Sequence, residues 1–182
     1  RFQDPTFGVL PLITGTMWTT AIALSVSIPI GLGAAIYLSE YASTRTRKVF
    51  KPTLELLAGV PSVVYGLFAV TFVGPVVLKE WLGIEVATFS VLAAGLVLGV
   101  MIIPTVASLA EDAMSAVPRA LREASYGLGA NRMRTVLRVV FPAAVSGIAA
   151  AIVLGLSRAV GETMIVAMAA GSQAKMVTDP LE

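Results

Sequence analysis

Long stretches without a charge dominate the hydrophobic pattern of the chain. No Asp, Glu, Lys or Arg occurs from Pro5 to Ser39, from Leu56 to Leu78, from Val86 to Ala110 or from Val139 to Ser157. A helix that crosses the hydrocarbon of a bilayer needs about 20 mainly apolar residues, each rising 1.5 Å. A helix of a water-soluble globule averages about 11–12 residues. The four runs therefore predict four membrane-spanning helices, at about residues 12–38, 56–78, 86–110 and 146–171. The stretch before them is punctuated by Pro5, Gly8 and Pro11 and reads as an interfacial lead-in.

Composition strengthens this picture. Of 182 residues, 57% are hydrophobic and 13% charged, and the mean hydropathy is +0.87. Soluble domains carry about 45–50% apolar and about 25% charged residues, and disordered chains are more polar still. There is no Cys and no His. That removes disulfides, thiolate and imidazole metal ligands, and the commonest general base. The chain opens on Arg1 and shows no signal-peptide pattern. Its net charge of +2 gives no argument for nucleic acid.

The charges gather in the linkers. Residues 40–55 hold Arg45, Arg47, Lys48 and Lys51, residues 79–85 hold Lys79, and residues 111–138 hold Arg119, Arg122, Arg132, Arg134 and Arg138. The excess of Lys and Arg marks cytoplasmic loops. The first and third linkers are thus expected in the cytoplasm and the second outside. Pro29, Pro61, Pro75 and Pro104 lie inside the expected spans, where neighbouring helices can satisfy the carbonyls they free. Small residues such as Gly31, Gly33 and Ala93-Ala94-Gly95 let helices approach closely.

Residues 111–141 are too long for a simple turn. Pro118 suits a helix start, and Arg119 to Tyr126 make an amphipathic turn or two. Gly127 and Gly129 allow a reversal, and Ala130 or Asn131 can open a second short helix leading to Pro142. Within this segment, Glu123-Ala124-Ser125, Gly129, Val139 and Phe141-Pro142 keep the residues and spacing of a known pattern. They resemble the EAA loop of ABC-importer permeases, departing mildly at Ser125, Val139 and Phe141. Gly59-Val60-Pro61-Ser62-Val63-Val64-Tyr65-Gly66-Leu67-Phe68 and Ser157-Arg158-Ala159-Val160-Gly161-Glu162-Thr163-Met164 are similar to segments of bacterial phosphate permeases of the PstC and PstA type. The closing Thr178-Asp179-Pro180-Leu181-Glu182 looks more like PstC.

The resemblance implies an all-α polytopic transmembrane helical bundle of the MetI-like permease fold, with a cytoplasmic coupling-helix pair in the bacterial inner membrane. It implies Glu123, Ala124, Gly127, Gly129 and Arg132 as residues that couple the chain to an ATPase. It implies as partners a second permease subunit, two ATP-binding subunits and a periplasmic or lipid-anchored phosphate-binding protein. ATP and magnesium would sit on the ATP-binding subunits, with no cofactor on this chain. Such permeases have six spans, so the chain reads as an incomplete subunit lacking the first and last.

Independently of that likeness, a fourth helix from Ser146 to Gly171 would be about 39 Å long and would place Arg158 about 18 Å along it, near the midplane. A charge there costs about 2.5–3.5 kcal/mol and normally marks a pathway. Its planar fork of donors matches phosphate, and Glu162, four residues on, shares its helix face. The functional reading assigns Arg158, Glu162, Thr163 and Ser62 to the substrate path, with Ser157 as a further hydroxyl. The bland reading makes Arg158 and Glu162 a self-neutralising ion pair. Ser62 follows Pro61, which either kinks the span or breaks it so that backbone N–H groups face an anion. Together with the resemblance to phosphate permeases, which alone points to the anion, the expected function is phosphate import. The alternatives are another oxyanion such as sulfate or molybdate, or an ion channel or secondary carrier. An intramembrane enzyme would lack His, Cys and paired Asp.

Overall fold

The structure, a computed structural model, describes residues 10–81, 83 and 90–170. The lead-in before residue 10, Glu85, the opening of the third expected span, Gly171, Met176 and the closing residues 178–182 lie outside the described residues. Three helical stretches are long and apolar enough to cross a membrane: Leu12–Tyr41, Ser62–Trp81 and Val91–Ser115. A fourth exists if Arg132–Ala143 and Val145–Gly161, bent by 73°, form one span.

Helix α1 (Leu10–Ile36) carries no charge, and two of its threonines turn their hydroxyls onto carbonyls one turn back. Thr16 Oγ1 donates to the Leu12 carbonyl and Thr19 Oγ1 to that of Gly15, both at 2.9 Å. The helix continues with a wider π-helical pitch through Tyr37–Tyr41. Ser43 then caps α2 (Thr44–Ala58), its Oγ accepting from the Thr46 amide. This amphipathic helix buries no residue of its own and occupies what the charge pattern marks as a linker. Gly59 ends it. Pro61, extended, opens α3 (Ser62–Phe68), which continues as a π-helical stretch to Trp81. The residue before a proline is pushed out of helical geometry, so the chain breaks at Val60 instead of running straight from residue 56.

Helix α4 (Val91–Ser115) runs past Glu111 and Asp112 instead of stopping at Ala110. It can do so because the α2 cations neutralise both carboxylates. Then follow α5 (Arg119–Gly127), α6 (Arg132–Thr135), a π-helical turn Val136–Val140, α7 (Phe141–Ala143), α8 (Val145–Gly161) and α9 (Met164–Ala169). The single helix expected over 146–171 is thus interrupted at Glu162 and Thr163. The Glu162 carboxylate takes the Met164 and Ile165 amides at 3.0 and 3.3 Å, satisfying the first donors of α9.

The chain divides into two compact units: residues 1–23, 61–99 and 159–182, and residues 24–60 and 100–158. In the first, Ala69, Val73, Leu78, Ala93, Ala94, Val97 and Ala169 form the core. In the second, Ala35, Ala110, Met114, Val117, Val140, Ala144, Ile148 and Ala151 do. Small side chains let these helices pack closely without help from hydrophobic expulsion, which lipid does not supply. At Gly147 an added Cβ would lie 2.5 Å from that of Ala113, so only glycine allows this approach of α8 to α4.

Candidate functional site

The segment from Arg119 to Phe141 is helix, turn, helix. Pro118 stands just before α5, and α5 ends at Gly127. Gly129 takes φ +80°, a left-handed conformation that glycine adopts without steric cost. Gly127 does not have positive φ, so the reversal expected of both glycines rests on Gly129 alone. Asn131 caps α6, its Oδ1 accepting from the Arg134 amide at 2.9 Å. Glu123, Ala124, Gly127, Gly129 and Arg132 are all exposed. Beside them stand the apolar side chains of Leu121, Tyr126, Met133, Leu137 and, 91% exposed, Leu128.

Several contacts fix this segment to the rest of its unit. Arg122 bonds Glu40 at the end of α1 and the Met114 carbonyl near the end of α4, each at 2.8 Å. The Arg132 guanidinium lies 5.3 Å over the Tyr41 ring. Ser125 and Thr135 share a hydroxyl hydrogen bond of 2.9 Å across the turn. Behind them, Glu111 is 1% exposed and pairs with Arg47 and Lys51 of α2, while Ser115 Oγ donates to it at 2.7 Å. Lys51 also pairs with Asp112, whose carboxylate raises the lysine pKa above its ordinary 10.5 against the opposing pull of burial. A buried carboxylate needs such partners.

Arg158, near the end of α8, is partly buried. Its Nη1 donates to Thr105 Oγ1 of α4 at 3.0 Å, and its Nη2 donates to the Ala58 carbonyl at the C-terminus of α2 at 2.8 Å. Among the described residues of its unit no carboxylate pairs with it; Glu40, Glu111 and Asp112 pair instead with Arg122, Arg47 and Lys51. Its positive charge is met by a hydroxyl and a helix-end carbonyl, both neutral.

The other expected path residues are placed differently. Glu162 lies beyond the end of α8, so the i, i+4 relation to Arg158 on one helix face is not the arrangement found. Its carboxylate caps α9. Thr163 Oγ1 lies 3.5 Å from the Gly161 carbonyl, Ser157 Oγ donates to the Val153 carbonyl, and Ser62 is the first residue of α3. Arg158 belongs to one unit and Ser62, Glu162 and Thr163 to the other. Sequence reasoning missed Thr105, the Ala58 carbonyl, Glu40, Arg122 and Glu111 as contributors. A carboxylate at the end of an apolar run, facing a basic linker, was the signal for Glu111. Nothing in the sequence marked Thr105.

A family described as "Binding-protein-dependent transport system inner membrane component" matches residues 27–181. The chain is 40% identical over 180 residues to the probable ABC transporter permease protein YqgH of Bacillus subtilis (strain 168), covering 99% of this chain and 58% of that one. It is 40% identical over 183 residues to the phosphate transport system permease protein PstC 1 of Mycobacterium bovis, covering 91% and 54%. With PstC of Pasteurella multocida the identity is 36% over 184 residues, covering 91% and 57%. The chain thus spans a little over half the length of these curated relatives. Among solved structures, an inward-facing conformation of the MetNI methionine ABC transporter shares the fold at a TM-score of 0.69 and 22% identity, covering 93% of this chain and 79% of that one. The chain belongs to the family of binding-protein-dependent transport system inner membrane components.

Proposed function

We propose that the chain is part of the permease subunit of an ATP-driven importer that carries inorganic phosphate across the bacterial inner membrane. The observation that carries this reading is Arg158, a guanidinium on an otherwise apolar helix whose only hydrogen-bond partners among the described residues are neutral. Two bonds use two of its five N–H donors, and a bidentate fork suits a phosphate oxygen pair. Holding a cation with neutral groups keeps its charge available to an anion and lets the anion leave, as transport requires. The likeness to permeases named for phosphate transport supports the same substrate.

Force would enter through residues 111–141. The exposed patch of Leu121, Tyr126, Leu128, Met133 and Leu137, ringed by Glu123, Arg134 and Arg138, suits docking into a groove on an ATP-binding subunit. Two such subunits would hydrolyse ATP, and a second permease and an external phosphate-binding protein would complete the assembly. This chain would hydrolyse nothing.

Radiolabelled phosphate uptake, in cells deleted for their own importer and supplied with the full-length parent gene and its partner subunits, tests the reading. ATP-dependent uptake that excess sulfate and molybdate do not suppress is expected. Uptake of a competing oxyanion instead would keep the permease and discard phosphate. Uptake without ATP would overturn the importer reading. Arg158→Ala should abolish uptake while leaving the complex assembled.

A further inference from the structure

Helix α5 buries no residue of its own. Packing alone therefore does not fix its direction, and three residues, Ala116 to Pro118, connect it to α4. Arg122 supplies what packing does not. Its Nε and Nη2 donate to one carboxylate oxygen of Glu40 at 3.1 and 2.8 Å. Nη2 also donates to the Met114 carbonyl at 2.8 Å, and Nη1 donates to the Val117 carbonyl. Both side chains are largely shielded, 15% and 5% exposed. The other arm of the turn is held at the neighbouring residue, where Arg132 stacks on Tyr41. The last two residues of the π-helical end of α1 thus each receive a guanidinium, one from each arm. The Ser125–Thr135 bond ties the arms together.

This arrangement has the properties of a joint that does not open. A planar fork satisfying three acceptors at once has one geometry, which a lysine could not reproduce. Separating the pair would leave a shielded charge unpartnered. We propose that Arg122 is a positioning residue for energy coupling: a rigid joint through which movement of α5 displaces the ends of α1 and α4 together. This rests on the coupling role proposed above for residues 111–141.

The test uses the full assembled complex, with Arg122→Gln and the milder Glu40→Gln, which keeps a hydrogen-bonding oxygen. Both should assemble with the ATP-binding subunits and hydrolyse ATP. Phosphate moved per ATP should fall about tenfold, within the range by which residues along a coupling route alter linkage, while the KM for phosphate stays unchanged. A second readout needs no substrate. The chain has no cysteine, so, with any cysteines elsewhere in the full complex replaced, a fluorophore on Tyr37→Cys, a half-exposed position at the end of α1, should respond to ATP, and Arg122→Gln should abolish that response. A retained response with an unchanged phosphate-to-ATP ratio would overturn the joint. So would loss of the ATP-binding subunits from the variants, which would make Arg122 a residue of folding or docking only. Leu128→Asp and Glu123→Arg separate the two readings. If they leave the ATP-binding subunits attached, the coupling surface itself is misassigned, whatever Arg122 does.

Discussion

Arg158 is a charge on an otherwise apolar helix, and the use proposed for it is to bind the anion. Its guanidinium is held by Thr105 and by the last carbonyl of α2, so its orientation is fixed while its charge is not cancelled. A hydrogen bond to a charged group contributes about 1.5–3 kcal/mol. Thr105→Val, nearly isosteric but without the hydroxyl, should therefore raise the KM for phosphate about tenfold, and Thr105→Ser should restore most of it. Equal uptake kinetics in the valine variant would show that Thr105 does not position Arg158. Lys51 gives a pH-dependent counterpart. Asp112 and Glu111 raise its pKa above 10.5, so its stabilising contribution is complete below that value and is lost as pH rises through the raised one. The Tm of the purified complex should exceed that of Lys51→Met by a constant margin through the neutral range, and the margin should close only under strongly alkaline conditions.

Among the elements, the turn between α5 and α6 makes the sharpest demands on sequence. Gly129 has positive φ and Gly127 does not. Gly129→Ala should cost about 1–2 kcal/mol of local stability through the left-handed backbone. Gly127→Ala, with open space around its Cβ position within the chain, should leave stability unchanged or slightly improved. Hydrogen exchange at the α6 amides would report the difference. This segment was legible in the sequence because Pro118, the glycines and Asn131 are local signals, each acting within a few residues. The apolar helices were legible for the same reason, from charge-free runs. What escaped the sequence were features that depend on distant partners. Glu111 reads as the end of a span until Arg47 and Lys51, some sixty residues earlier, are seen to neutralise it. The break before α9 needed the Glu162 carboxylate to turn back onto two amides. A periodic pattern favours an unbroken helix there and gives no warning. Charge marks the residues of α2 as a linker, although capping by Ser43 and anchorage on α4 make them a helix.

For the whole molecule, orientation in the membrane decides whether the proposed parts can work together. On the proposed reading, the coupling surface faces ATP-binding subunits in the cytoplasm, which would put residues 111–138 inside. The same side is required of Arg45, Arg47, Lys48 and Lys51, because Arg47 and Lys51 bond Glu111. Lys and Arg excess agrees with both, and the same rule expects the single Lys79, at the far end of Ser62–Trp81, outside. These assignments are coupled, since one span lies between each consecutive pair of sites, so a single error would invert all of them. These residues hold no cysteine, so in a full-length parent with any other cysteines replaced the assignments are directly measurable. Lys48→Cys, Lys79→Cys and Arg134→Cys each present an exposed position. In intact cells a membrane-impermeant maleimide should label only Lys79→Cys, and permeabilisation should expose the other two. Arg134→Cys should then become protected when ATP-binding subunits are co-expressed, because it borders the docking patch. Labelling of Arg134→Cys from outside would remove the coupling segment from the cytoplasm and, with it, any role for ATP-driven closure acting on α5.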